Sequence, residues 1–102
     1  MTIKKFKILS LDVWGNESEG FEVNDVRTIG HIEIDLDASN NDIKKQVFKH
    51  LENTGYLTFH APYSPETASK ESEINFLDDC YAEINEKSNG FPMYQLISEE
   101  RT

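Results

Sequence analysis

The chain has 102 residues, 37% of them hydrophobic and 11% aromatic, which is enough for one folded domain and argues against wholesale disorder. Its net charge of −9 disfavours direct binding to nucleic acid through a broad surface, because phosphate is bound by Lys and Arg. No apolar run approaches the ~20 residues that span a membrane, and the N-terminal segment lacks the apolar stretch of a signal peptide. The single cysteine, Cys80, rules out an internal disulfide. We therefore expect one cytosolic domain that covers residues 1–102.

Two strands are predicted in the first third of the chain. Apolar and polar side chains alternate over residues 4–13, and more cleanly over residues 26–36. In the second segment the alternation predicts which side chains face the core and which face water. The core-facing set is Val26, Ile32, Ile34 and Leu36, the water-facing set is Arg27, His31, Glu33 and Asp35, and Ile29 breaks the pattern.

Residues 14–25, between these strands, are predicted to form a loop, because two glycines and two asparagines favour a turn. Trp14 and Phe21 flank the turn, and we expect them to pack together. Residues 12–25 carry five acids and no base: Asp12, Glu17, Glu19, Glu22 and Asp25. These acids either serve solubility alone or form a recognition face for a basic partner.

One helix is predicted within residues 39–55. Ser39 or Asn40 can cap its first free N–H groups, Asp42 suits its positive end, and Gly55 stops it. Its apolar side chains recur at helical spacing and form one stripe, made of Ile43, Val47, Phe48 and Leu51.

The remaining sequence predicts a short strand over residues 56–60, a loop over residues 61–72, and strands from residue 73 onward. Asn89-Gly90 favours a two-residue hairpin turn, which would pair Ile84 with Gln95. Pro92 lacks an N–H, so its strand is expected at an edge or with that nitrogen pointing outward. The whole pattern predicts an α+β domain in which a mainly antiparallel sheet of about five strands packs against one helix.

Catalytic and metal sites are not indicated. The three histidines lie on different predicted elements without ligands at zinc spacing, and residues 35–39 lack the glycine and glutamate of a calcium loop. Asp78 and Asp79 disfavour a thiolate at Cys80, and the chain has neither a glycine-rich phosphate loop nor a Gly-x-Ser-x-Gly turn. We therefore predict a protein that is not an enzyme and needs no metal or cofactor.

The segments LDVWGN and EGFEVNDV, residues 11–16 and 19–26, resemble small proteins encoded by tailed bacteriophages and prophages. The later NGFPMYQL, residues 89–96, is similar to the C-terminal hairpin of the same group. The resemblance covers the first third and the last fifth of the chain, and no activity or site residue can be carried over with it. It implies a phage product that acts in the cytoplasm of a bacterial host.

Two hypotheses for the function remain. In the first, a non-catalytic phage accessory protein binds a basic surface of a host or phage protein. Its partner-binding residues are Trp14, Glu17, Glu19, Glu22 and Asp25. An inhibitor that imitates nucleic acid in the groove of a bacterial defence nuclease is the extreme form of this hypothesis.

In the second hypothesis, the protein assists nucleic-acid processing and binds DNA or RNA through Lys44, Lys45, Lys49 and an aromatic residue such as Trp14. The net charge and the lack of a catalytic motif favour the first hypothesis. A second acidic stretch, residues 71–86, is the next candidate surface if the first stretch does not bind.

Overall fold

A computed structural model describes residues 2–16 and 18–99. In chain order its elements are β1 Ile3–Asn16, β2 Gly20–Asp35, α1 Asn40–Asn53, α2 Pro65–Lys70, β3 Ser72–Asp78, β4 Tyr81–Glu86 and β5 Pro92–Ser98. The strands form one sheet in the order β2-β1-β5-β4-β3, and all neighbouring strands are antiparallel. The predicted α+β class is confirmed. The additional short helix α2 lies where a loop was expected.

The core lies between α1 and one side of the sheet, which we call the helix face. Four residues of α1 form the predicted stripe and are at most 3% exposed: Ile43, Val47, Phe48 and Leu51. They pack against eight buried residues of the strands: Phe6, Ile8, Ile32, Ile34, Ile74, Ala82, Ile84 and Leu96. We call the other side of the sheet the open face, because no helix of the described residues packs on it.

Both ends of α1 follow from local chemistry. The Ser39 side chain accepts a hydrogen bond from the Asp42 amide at 3.1 Å, as predicted for an N-cap. After the helix, the amides of Tyr56 and Leu57 both donate to the Leu51 carbonyl. Tyr56 and Leu57 therefore close the helix end, and residues 56–60 do not form the predicted strand.

Two bulges in β2 change the direction of its side chains. Ile29 and Asn24 each lack a partner in β1, so the pairing shifts by one residue at each point. Ile32 and Ile34 are buried as predicted, but Val26 lies beyond the first bulge and is 46% exposed. The prediction that Val26 faces the core is wrong because a one-residue shift moves a side chain to the opposite face.

The register of β4 and β5 also differs by one residue from the prediction. Ile84 pairs with Tyr94 rather than Gln95. The connection is longer than two residues, since the pair nearest the turn is Asn85 with Pro92, and the unpaired Met93 brings the register back to within one residue of the prediction. Since β5 lies inside the sheet, the prediction of an edge strand is wrong. Pro92 is the first residue of β5, ahead of the residues that pair with β1, so its missing N–H removes no bond to β1.

Lys44, on α1, bonds to the backbone of the edge strand β3. The Lys87 amide donates to the Glu71 carbonyl, so the next carbonyl along the strand, that of Ser72, points away from β4. Lys44 Nζ donates to this Ser72 oxygen at 2.7 Å, and the Lys44 residue is only 7% exposed. Burial, followed in size by the positive charge of Lys87, lowers the pKa of the Lys44 ammonium.

We expect Lys44→Ala to lower the free energy of unfolding by about 1–3 kcal/mol, because the Ser72 carbonyl loses its donor. Urea unfolding measures this loss. Lys49→Ala is the matched control, since Lys49 is an exposed residue of the same helix, and its effect should stay within about 0.5 kcal/mol. Equal losses in the two variants would contradict the structural role of Lys44.

A second prediction concerns the effect of alkaline pH on Tyr94. The ring of Tyr94 contacts that of Phe48 edge to face, at a centroid distance of 6.1 Å. Burial, followed in size by interaction with Tyr56, raises the pKa of Tyr94 to about 12. The phenol of the unfolded chain ionises at about 10, so this group's contribution to stability is present below pH 10. It is lost as the pH rises towards about 12.

Tyr94→Phe should therefore become progressively more stable relative to the wild type above pH 10, as measured by urea unfolding at a series of pH values. Tyr63→Phe, at a side chain 60% exposed, is the control and should show no such trend. A constant difference between Tyr94→Phe and the wild type from pH 8 to pH 11 would show that Tyr94 is not protected from ionisation.

Candidate functional site

The sheet narrows to two strands at one end. β1 pairs with β5 only over Phe6–Ser10, whereas its pairing with β2 continues to Asn16. We call residues 11–16 and 18–26 the hairpin end. The prediction of a loop over residues 14–25 is wrong, because β1 continues to Asn16 and β2 begins at Gly20.

The turn of the hairpin end is held by one asparagine and one glycine. Asn16 Oδ1 accepts hydrogen bonds from the Glu19 amide and the Ser18 hydroxyl, both at 2.8 Å. Gly15 has a φ of 121°, and a Cβ at this position would lie 2.2 Å from the Gly20 carbonyl oxygen. The turn therefore requires glycine there. Glu17, a predicted site residue, lies outside the described residues.

An aromatic pair connects the hairpin end to the rest of the domain. The ring of Phe21 contacts that of Phe91, in the β4–β5 connection, edge to face at a centroid distance of 5.3 Å. Trp14 does not pack on Phe21 as predicted. Trp14 pairs with Glu22, the neighbour of Phe21, and adjacent residues of a strand point to opposite faces. Trp14 is consequently 62% exposed.

Trp14 shares one side of the hairpin end with three acids. Glu22 lies directly opposite Trp14, and Asp25 lies directly opposite Asp12, so each pair is on a single side. Asp12 precedes Trp14 by two residues and therefore points the same way. All four residues are exposed, and we call this surface, Asp12, Trp14, Glu22 and Asp25, the acidic face.

Glu19 lies in the turn next to the acidic face, where it lines a surface depression together with Trp14, Phe21 and Glu22. The structure thus brings together four of the five predicted site residues. Asp12 was not predicted as a site residue, although its spacing of two from Trp14 was a usable signal. Asp25 has a structural role as well, because its carboxylate accepts a hydrogen bond from the Val26 amide at 2.9 Å.

All charged residues of the hairpin end are acidic. No base occurs from residue 11 to residue 26. Arg27 is the first base beyond it, and this residue lines an open groove of about 310 Å³ together with Ser10, Asp12 and Asp25. Arg27 therefore lies at the inner margin of the acidic face, beside Asp12 and Asp25.

The opposite side of the hairpin end is apolar. Leu11 pairs with Val26, and Val13 with Val23, on the open face of the sheet. Val23 is 45% and Val26 46% exposed, whereas Leu11 and Val13 are partly buried. We call these four residues the valine face.

The three lysines of the alternative hypothesis do not form one surface. Lys44 is buried against Ser72, as described above. Lys45 and Lys49 line a depression that also contains Glu52 and Glu66, so acids lie close to both of them.

The second acidic stretch, residues 71–86, is spread over different parts of the fold, and several of its carboxylates have partners. Asp78 accepts from the Cys80 amide at 2.7 Å, Glu83 from the Tyr81 hydroxyl at 3.2 Å, and Glu86 from the Ser88 hydroxyl at 2.9 Å. Three of the six acids in this stretch therefore hold local hydrogen bonds, while Glu71, Glu73 and Asp79 are exposed.

Outside the hairpin end, two contacts in the described part of the chain involve a histidine or a cysteine side chain. His31 Nδ1 lies 2.6 Å from a carboxylate oxygen of Glu99, and the exposed Cys80 thiol lies 3.7 Å from Lys4 Nζ. Within residues 2–16 and 18–99, no group of three or more His, Cys, Asp or Glu side chains is placed to hold a metal ion. No helix of these residues is both long and apolar enough to cross a membrane.

Comparison of the chain with protein-family models, with curated proteins and with solved structures gave no match.

The exposure of Trp14 leads to a spectroscopic prediction. Because acids surround the indole, caesium ions should quench its fluorescence more strongly than iodide ions at low ionic strength. Glu22→Gln should reduce this difference. Trp14→Ala should change the free energy of unfolding by less than about 1 kcal/mol, the range of strand propensities.

Phe21→Ala is the control for that prediction and should cost more, because it removes the contact with Phe91. A quench-resistant indole, or a larger loss of stability from Trp14→Ala than from Phe21→Ala, would show that Trp14 is packed.

Proposed function

We propose that the protein is a non-catalytic binding protein whose acidic face docks onto a basic surface of another protein. The observation that carries this proposal is the exposed Trp14, 62% accessible, on the same side of a hairpin as Asp12, Glu22 and Asp25. An indole left in water contributes little to the fold, yet buries a large apolar area when a partner covers it.

Charge supports the same proposal. The net charge of −9 and the run of residues 11–26 without a base favour association with a positively charged surface. The separation of Lys44 from Lys45 and Lys49 weakens the alternative in which these lysines bind nucleic acid.

The resemblance to small phage proteins makes a bacterial host or phage protein the proposed partner, in the cytoplasm of the host. The nucleic-acid groove of a bacterial defence nuclease is one basic surface with suitable chemistry. In that case the acidic face would compete with nucleic acid for the groove.

The test compares two triple variants with the same net charge. Asp12→Asn, Glu19→Gln and Glu22→Gln neutralise the acidic face and leave Asp25, which bonds to the backbone, unchanged. Glu33→Gln, Glu52→Gln and Glu66→Gln neutralise three exposed acids outside both acidic stretches. Each chain is immobilised and exposed to bacterial lysate at low ionic strength, and retained proteins are eluted with salt.

We expect a basic protein to be retained by the wild type and the control triple but lost from the acidic-face triple. Its association rate should also fall with rising salt, because charge complementarity acts mainly on association. Equal loss of the basic protein from both triple variants would show that net charge alone, rather than the acidic face, causes its retention. Salt-sensitive retention of the wild-type chain on single-stranded DNA or RNA at physiological ionic strength would favour the nucleic-acid hypothesis instead.

A further inference from the structure

The hairpin end exposes apolar side chains on both of its sides. Of the seven large apolar residues that are exposed in the described part of the chain, three lie here: Trp14 on the acidic face, and Val23 and Val26 on the valine face. Residues 22–28 are exposed without interruption. Val23 and Val26 leave nearly half of their surface in water, so the fold gains from them only part of the stabilisation that full burial would give.

The hairpin end is also fixed in position. The Phe21–Phe91 contact at 5.3 Å holds its outer half against the β4–β5 connection. Two-stranded ribbons are marginal on their own, and this contact, with the pairing of β1 and β2 as far as Asn16 and Gly20, provides the support that the ribbon needs. A partner therefore meets a preorganised element and has little conformational entropy to remove.

We infer that the hairpin end inserts into a cleft of a basic partner protein, with one wall of the cleft against each side. This inference rests on the proposed function and extends it to the valine face. The wall that meets Asp12, Trp14 and Glu22 carries Lys or Arg side chains. The wall that meets Val23 and Val26 is apolar.

Charge complementarity favours a basic partner protein, rather than a second copy of the chain, as the binding partner of the hairpin end. Two copies would bring together net charges of −9 each, with Asp12, Glu22 and Asp25 close to the contact. Exposed like charges repel, whereas a cleft with one basic wall satisfies the acids and covers the valines at the same time.

The experiment places a benzophenone photocrosslinker at one of three positions in the full chain: in place of Glu22 on the acidic face, Val23 on the valine face, or Leu77 as control. Leu77 is 65% exposed and lies on β3, at the opposite edge of the sheet. Each chain is irradiated in bacterial lysate. We expect positions 22 and 23 to crosslink to the same polypeptide and position 77 to crosslink to none.

Two double threonine variants then test whether the valine face contributes to binding. Their affinity is measured for the purified protein that was crosslinked. Val23→Thr with Val26→Thr keeps the β-branched shape but should weaken binding about tenfold or more through lost apolar burial. Ile3→Thr with Leu77→Thr, at two residues that are 50% and 65% exposed, is the matched control and should leave the affinity unchanged.

The outcomes separate this inference from the proposed function. Crosslinking from position 22 alone overturns the cleft and leaves docking through the acidic face intact. Crosslinking from neither position overturns both. Crosslinking of position 23 to a second copy of the chain, or equal weakening by the two threonine pairs, also overturns the cleft.

Discussion

Each residue of a β-strand faces the side opposite to its neighbours, so one extra residue reverses every side chain beyond it. β2 contains two such residues, and the surface of the hairpin end depends on both. The bulge at Ile29 turns Val26 away from the side where Ile32 and Ile34 are buried. The bulge at Asn24 then places Val23 beside Val26; without it, Glu22 would point to the valine face. The bulges thus separate the acids from the valines, which a regular strand with this sequence would have mixed.

Helix α1 determines how much of the sheet stays uncovered. Gly30 of β2 faces His50 of the helix, since a Cβ at this position would lie in van der Waals contact with His50 Nε2, at 3.4 Å. Gln46 Nε2 donates to the Glu33 carbonyl of β2 at 2.7 Å, and Lys44 Nζ donates to Ser72 of β3 at the same distance. One helix therefore occupies an outward-facing carbonyl on each edge strand, which limits pairing with other chains there. Helix α1 covers the part of β2 that contains Ile32 and Ile34, and these side chains are buried. It does not cover the hairpin end, and residues 22–28 of the same strand are exposed.

Local signals predicted the parts of the fold that local chemistry determines. The cap at Ser39 and the apolar stripe of α1 are in the structure, as are Ile32 and Ile34 in the core. Helix α2 also had its signal, Ser64 followed by Pro65 at the first helical position, and could have been found. The bulges, the register of β5 and the exposure of Trp14 could not, because strand pairing is decided by packing between distant segments. The burial of Lys44 had no signal, since its bond to Ser72 joins residues that are 28 positions apart.

The two faces of the hairpin end suit different stages of binding. Carboxylates that are exposed and close together act over a Debye length, so they accelerate the encounter with a basic protein and lose this effect in salt. Valines and an indole act only at contact, where the area removed from water slows dissociation. The Phe21–Phe91 contact holds the hairpin end, and with it both sets of side chains, against the β4–β5 connection. On the proposed function, a ribbon with the acids alone would associate rapidly and be released, and one with the apolar side chains alone would bind slowly and with little selectivity. The two bulges in β2 place both sets on one element, each on its own side, which would combine fast association with slow dissociation.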